Sequence, residues 1–303
     1  MQIFEAAPDA GPSLALHGGA GGRVEELTLE GRAPYDEGLR AAFSAGWQVL
    51  AAGGSALDAV CASVEVLEDN PLFNAGRGAA LTATGHAELD ASVMTGAGRA
   101  GAVAASKHAR NPVLLARAVM EHTEHALIVD PDVAFLECHG FQPVERGYFI
   151  TESRRQQLER VLGGRAAAAR HGTVGAVARD VNGRVAAATS TGGMVGQADG
   201  RVGDSPIVGA GVYARDNIVA ISSTGHGEAF ICGVVAYDIA ARIRYANADL
   251  AAAVRETIDT ELGQRGSTGG VIAVGADGRV VVAHNSPAMF SARGTGPEPT
   301  ITT

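Results

Sequence analysis

The chain changes character at one point. Residues 163–172, Gly-Gly-Arg-Ala-Ala-Ala-Ala-Arg-His-Gly, are small or polar and carry no periodicity, so they read as a linker. At Thr173 a strand begins. Thr173, Val174, Ala176, Val177 and Ala178 are apolar or β-prone, and Asn182-Gly183 supplies a hairpin turn into a second strand over 184–190. Further strands are expected at 207–213 and 217–223, and a closing hairpin pairs 269–275 with 279–284 through Ala276-Asp-Gly278. Earlier in the chain, 13–17, 88–94 and 99–106 read as strands. Helices interrupt them in blocks, and no repeat of fixed period exists. An α/β (α+β) chain with this order fits two sheets covered by helices, a four-layer αββα sandwich.

The helical segments are read from spacing and caps. Leu39, Phe43, Trp47 and Leu50 recur at helical intervals over 35–50, closed by Gly53-Gly54. Ser55-Ala-Leu-Asp58 resembles a capping box for a helix with Leu57, Val60, Cys61, Val64 and Leu67 on one face. Asn111-Pro112 opens a helix to about Met120, with proline in the first turn. Weaker helices are expected at 130–138 and 153–162, and stronger ones at 227–247 and 249–262. His122 and His125, three apart, have no further ligand cluster and read as an exposed helix end. The run Gly18–Gly22 reads as a tight turn, because it lacks the Lys-Ser/Thr ending of a phosphate-binding loop. Leu67–Gly78 is a turn-rich loop whose carbonyls could coordinate a small cation.

Composition narrows the class. With 303 residues, 46% hydrophobic and 19% charged, the chain can bury a large core. Aromatics are only 5% while glycines number 41, so the layers are expected to pack closely through small residues. A net charge of −9 argues against nucleic acid or an anionic membrane as partner. No 18-residue apolar run exists, and the first residues lack a basic and apolar leader, so a cytoplasmic protein is expected. Cys61, Cys138 and Cys232 are too scattered for a disulfide framework or zinc site and read as small buried hydrophobes.

Between 189 and 228, polar residues cluster at strand ends in a way that packing does not require. Thr189-Ser-Thr-Gly-Gly193 sets hydroxyls beside glycines. Arg201 and Asp204 lie three apart in the loop 200–206, and Ser222-Ser-Thr-Gly-His-Gly-Glu228 ends a strand and starts a helix. Each alone is an ordinary turn. Three converging on one edge would offer opposite charges, hydroxyls and backbone N–H groups.

The ordered series HGTVGAVA (171–178), ATSTGGM (188–194), GRVGDSPIVGAG (200–211) and STGHGE (223–228) resembles the plant-type L-asparaginase/isoaspartyl peptidase family of N-terminal nucleophile hydrolases. LHGGAGG (16–22), NPLFNAGRGAALTATGHAELDASVMTG (70–96) and RNPV (110–113) extend the resemblance through the first half. It implies an autoprocessing amidohydrolase cut between Gly172 and Thr173 into 1–172, with a linker from about 145, and 173–303. The hydroxyl of Thr173 would attack the Gly172 carbonyl, and the resulting ester would hydrolyse. The freed α-amine, with an ordinary pKa of roughly 7.7–8.0, would then serve as base to its own hydroxyl.

The resemblance carries further roles. Thr191 would hydrogen-bond and tune Thr173. Thr224 and the N–H of Gly225 would form the oxyanion hole, where losing one donor costs about 100- to 1,000-fold. Arg201 would grip the substrate α-carboxylate and Asp204 its α-ammonium, helped by the carbonyl of Gly227. Asn74 would lie near the nucleophile. Backbone carbonyls of Leu67, Glu68, Asn70, Phe73, Ala75 and Arg77 would hold a structural sodium ion, with no cofactor for the chemistry. Arg77 is a departure in that loop, and His226 is a candidate specificity residue. Substrates would be L-asparagine and β-aspartyl dipeptides, and the assembly a dimer of processed heterodimers. Two other readings stay open: a glycosylasparaginase-like amidase, which shares GRVGDSP but typically has TSTNG, and a ligand-binding scaffold that is never cut. Gly209-Ala-Gly211-Val-Tyr-Ala214 nominally fits a dinucleotide fingerprint, but no helix follows it.

Overall fold

The computed structural model describes residues 1–6, 11–21, 29–164 and 172–303. Its strands form two sheets. The eight-stranded sheet runs β13 (Thr300–Thr302), β12 (Met289–Gly294), β2 (Ser13–Ala20), β6 (Val174–Arg179), β7 (Val185–Thr191), β3 (Leu89–Thr95), β4 (Ala100–Ser106) and β5 (Leu127–Val129). The five-stranded sheet runs β1 (Gln2–Ala6), β11 (Val280–His284), β10 (Gly269–Gly275), β9 (Val219–Gly225) and β8 (Val212–Arg215). Neighbouring strands are antiparallel except β4 and β5.

The sheets face one another, β6 and β7 against β9 and β2 against β10. Between them pack Ala15, Val177, Ala187, Ala220, Ile272 and Val274, all fully buried. These small and branched side chains let the layers approach closely, as the scarcity of aromatics suggested. Helices α1 (Leu29–Ala51), α2 (Ala56–Asp69) and α3 (Pro112–His122) cover the larger sheet, with Leu39, Phe43, Val60 and Val64 against Leu14, Leu16 and Val174. Helices α6 (Gly227–Gly233), α7 (Val235–Ala246) and α8 (Leu250–Thr257) cover the smaller one through Phe230, Ile239 and Val254. The expected four-layer sandwich is the fold. Among the described residues no helix is long and apolar enough to cross a membrane.

Local signals acted as their chemistry requires. Ser55 caps α2, its hydroxyl accepting from the Asp58 N–H at 3.1 Å and donating to the Asp58 carboxylate at 2.6 Å. Pro112 occupies the first turn of α3. The ordered chain continues past 145: Arg146–Phe149 form a 3₁₀ turn, and α4 (Val133–Cys138) and α5 (Glu152–Leu162) precede the stretch 165–171, which lies outside the described residues. Phe149 is fully buried against Ala79, Leu81 and Leu89, so the start of the expected linker belongs to the body of the fold.

Several expectations are corrected. Gly18 and Gly19 do not turn; β2 runs through them to Ala20, while Gly22 lies outside the described residues. The strand expected at 207–213 starts only at Val212, because the chain turns through Gly209 (φ +94°), whose N–H donates to Val212 O at 2.8 Å. The single helix expected over 227–247 breaks at Val234, and the one expected to Leu262 ends in a π-helical turn at Ile258–Gly263. Cys61 is buried, but Cys138 and Cys232 are exposed.

Candidate active site

Thr173 immediately precedes β6, between β2 and β7 in the middle of the larger sheet. Its side chain is buried, and its hydroxyl donates to the Thr191 hydroxyl at 3.1 Å, on the last residue of β7. The Thr191 oxygen also accepts from the Gly193 N–H at 3.1 Å, which fixes the turn leaving β7. Thr173, Thr191, Gly193, Met194, Arg201, Asp204, Gly225 and Gly227 line one small cavity of about 10 Å³, room for roughly one water. Three loops distant in sequence meet there.

Asn74 is also brought to Thr173, though not as a pocket wall. Its amide donates to Gly193 O at 2.7 Å and its carbonyl oxygen accepts from the Ala80 N–H at 2.6 Å. Its side chain lies against Gly172. Asn74 therefore holds the backbone around both the junction and Thr191. Gly19 approaches the junction from the other side: a Cβ there would stand 2.7 Å from the Gly172 Cα. Its positive φ of +115° further favours glycine at this close approach.

Thr224, fully buried on β9, accepts from the Ala20 N–H at 3.1 Å, which leaves its hydroxyl proton available to donate. Gly225 follows it at the cavity. His226 turns away: Nδ1 lies 3.2 Å from the Ser267 hydroxyl and Nε2 3.3 Å from Glu228.

The charged pair is more crowded than the sequence suggested. Asp204 is buried, one of its oxygens has no hydrogen-bond partner, and burial pushes its carboxyl up to about 7 against the lesser pull of Arg201. A Cβ on Gly227 would stand 2.8 Å from both Arg201 Nη2 and Asp204 Oδ1, so only glycine leaves the space between them open. Arg201 donates from Nε (3.1 Å) and Nη2 (3.0 Å) to one oxygen of Glu228 and from Nη1 to Gln197 at 3.3 Å.

Residues to which the sequence reading gave no role support this loop. Glu88 accepts from the Gly200 N–H at 2.7 Å, and Asp90 on β3 accepts from the Gly203 N–H at 3.0 Å and the Ala105 N–H at 2.9 Å. Two carboxylates thus tie down the backbone carrying Arg201 and Asp204. Burial raises Asp90 to about 6 despite both hydrogen bonds. On the opposite side, the carbonyl of Thr173 accepts from His17 Nδ1 at 2.9 Å, leaving Nε2 to accept from Ser222 at 2.9 Å. A carbonyl cannot donate, so the tautomer is fixed. Full burial lowers His17 to about 3, so the ring is neutral.

In the loop after α2, the carbonyls of Leu67, Asn70 and Ala75 accept from the N–H groups of Asn70, Phe73 and Gly78. The carbonyl of Glu68 lies against Gly76 and those of Pro71 and Phe73 against Gly78, so a Cβ at either glycine would meet backbone oxygen. The Glu68 side chain points elsewhere: fully buried and raised to about 8 by burial, it accepts from Ser190 (2.6 Å) and the Val113 N–H (3.0 Å). The Arg77 guanidinium lies over the Tyr148 ring at 5.4 Å. Among the described residues no group of three His, Cys, Asp or Glu side chains could hold a metal, which includes His122 and His125.

Two facing sheets between helical layers, with a buried threonine leading into a central strand, define the sandwich class of the N-terminal nucleophile hydrolases. The chain belongs to the asparaginase family, whose model matches residues 10–302. It is 43% identical over 302 residues to an isoaspartyl peptidase of Escherichia coli, covering 95% of this chain and 94% of that one. It is 45% identical over 305 residues to an isoaspartyl peptidase of Salmonella typhimurium, covering 95% and 96%. Human isoaspartyl peptidase/L-asparaginase is 39% identical over 289 residues, with 92% and 91% covered.

Proposed function

We propose that this protein is an autoprocessing amidohydrolase that cleaves the β-amide of L-asparagine and of β-aspartyl dipeptides. One observation carries the reading: the hydroxyl of Thr173, directly after Gly172, bonds Thr191 in the same cavity as Arg201 and Asp204. In the precursor the Thr173 hydroxyl attacks the Gly172 carbonyl, the peptide nitrogen leaves as an amine, and water hydrolyses the ester. This yields 1–172 and 173–303 within a single hydrolase domain. Asn74 and Gly19, both against Gly172, hold the scissile unit in place. The cavity of about 10 Å³ is too small for an amino acid, so the site must widen before substrate enters.

In the mature enzyme the Thr173 amine takes the hydroxyl proton as the oxygen attacks the β-carbonyl. Thr224 and the Gly225 N–H face the developing oxyanion. Ammonia or the leaving amino acid departs with a proton, and water releases aspartate from the acyl-enzyme. Arg201 binds the α-carboxylate, and Asp204, aided by the Gly227 carbonyl, binds the α-ammonium; the unpartnered buried oxygen of Asp204 suits that cation. His226, hydrogen-bonded to Ser267 and beside Glu228, makes no contact with the cavity.

The loop at 67–78 would hold a structural sodium ion, and in its favour each of its carbonyls that accepts one N–H keeps a second lone pair. Leu67, Glu68, Asn70, Phe73, Ala75 and Arg77 would offer their backbone oxygens. A cytoplasmic location suits the three unpaired cysteines. The family reading also carries a dimer of processed heterodimers.

The test is kinetic. Arg201→Gln and Asp204→Asn should each raise KM for L-asparagine and β-aspartyl dipeptides at least about 10-fold, as expected when a buried charged partner is lost. If both variants keep the wild-type KM, the clamp is misassigned. If wild-type protein hydrolyses neither substrate, the activity is wrong.

A further inference from the structure

Glu228, in the first turn of α6, places its carboxylate on the guanidinium that the substrate needs. One Glu228 oxygen accepts from both Nε and Nη2 of Arg201, at 3.1 and 3.0 Å. The nitrogen Nη2 is also the one beside Gly227 and Asp204, on the cavity side. On the other edge of the guanidinium one N–H of Nη1 donates to Gln197. Nη2 has a second N–H toward the cavity, so a substrate α-carboxylate there and the Glu228 carboxylate would share one guanidinium, and two anions on one guanidinium repel each other. The exposures differ in the direction that displacement needs: the Arg201 side chain is 15% exposed and Glu228 48%. Arg201 is held in place by its burial and Gln197, whereas Glu228 has water and His226 beside it.

We propose that Glu228 is a built-in placeholder, a carboxylate that neutralises Arg201 while the site is empty and is displaced toward His226 by the α-carboxylate of the substrate. The proposal rests on the reading of Arg201 as the carboxylate-binding group. Without an occupant, Arg201 would face a cavity already shared with Asp204 and would pair with that carboxylate, spoiling the site for an ammonium. Glu228 keeps the two charges apart and subtracts from substrate affinity the strength of one half-exposed ion pair. Recognition thereby becomes selective: a ligand must bring its own carboxylate to displace this one.

The experiment measures inhibition constants on the purified protein for L-aspartate, which has the α-carboxylate, and for β-alanine, which is aspartate without it. Glu228→Gln should tighten L-aspartate about two- to fivefold, the range of a half-exposed ion pair, and leave β-alanine unchanged. Glu228→Asp, one methylene shorter, should shift L-aspartate in the same direction and carries the test if the glutamine variant fails to fold. Unchanged or weaker L-aspartate binding in these variants overturns the proposal, because Glu228 would then be a bystander or a strut for Arg201. Arg201→Gln is measured alongside. If it does not weaken L-aspartate, the reading of Arg201 itself fails; if it does, failure of the Glu228 variants falls on the placeholder alone.

Discussion

Burial holds the carboxyl of Asp204 at about 7, against an ordinary 3.8, and this makes one side chain answer to both folding and binding. Between 3.8 and 7 the folded protein keeps a proton that the unfolded chain has lost. Its contribution to stability is thus full below 3.8 and lost as pH rises through about 7. An ammonium ligand needs the opposite, the ionised carboxylate. The apparent KM for L-asparagine should therefore fall as pH rises toward 7, by up to about tenfold per unit, and level off above it. Asp204→Asn should abolish that slope; a flat wild-type profile from pH 5 to 8 would contradict the assignment. At this scale much of the site was legible. Thr173, Thr191, Arg201, Asp204 and Gly225 stand in ordered motifs, and they meet in one cavity. What escaped was the set of groups that act by long-range contact. His17 meets the Thr173 carbonyl across 156 positions and Asp90 meets the Gly203 N–H across 113, and no local spacing reports either.

Elements with strong local chemistry formed where the sequence placed them. The capping serine at 55, the proline at 112 and the Asn182-Gly183 turn each set a boundary through their own backbone preferences. The strands not foreseen lie at sheet edges, β1, β5 and β13, or next to one, β12, and rely on a partner strand for their pairing. Val234 shows a different failure. It links α6 and α7 in the left-handed region (φ 47°, ψ 44°), where a β-branched residue is strained, and the glycine of this junction, Gly233, stands one position before the left-handed residue rather than at it. The side chain is 47% exposed, so little burial offsets the strain. Val234→Gly should stabilise the protein by about 1 kcal/mol, seen as a rise of about 2–4 °C in Tm. An unchanged or lower Tm would mean that packing of the valine beside Gly209 outweighs the strain.

The two halves of the chain are interleaved. β2, from before Thr173, lies between β12 and β6, both from after it; β3 pairs with β7, and β1 with β11. A cut at Gly172–Thr173 would leave both sheets hydrogen-bonded across the products, so the pieces should stay together under native conditions and separate only on denaturation. That expectation turns the central claim into a mass measurement. Purified wild-type protein, denatured and weighed beside Thr173→Ala, should give two chains, 1–172 and 173–303, while the variant gives one, and hydrolysis of L-asparagine should appear only with the cut form. A single uncut wild-type chain after long incubation, or a variant cut at the same bond, would contradict the assignment of Thr173 as the nucleophile.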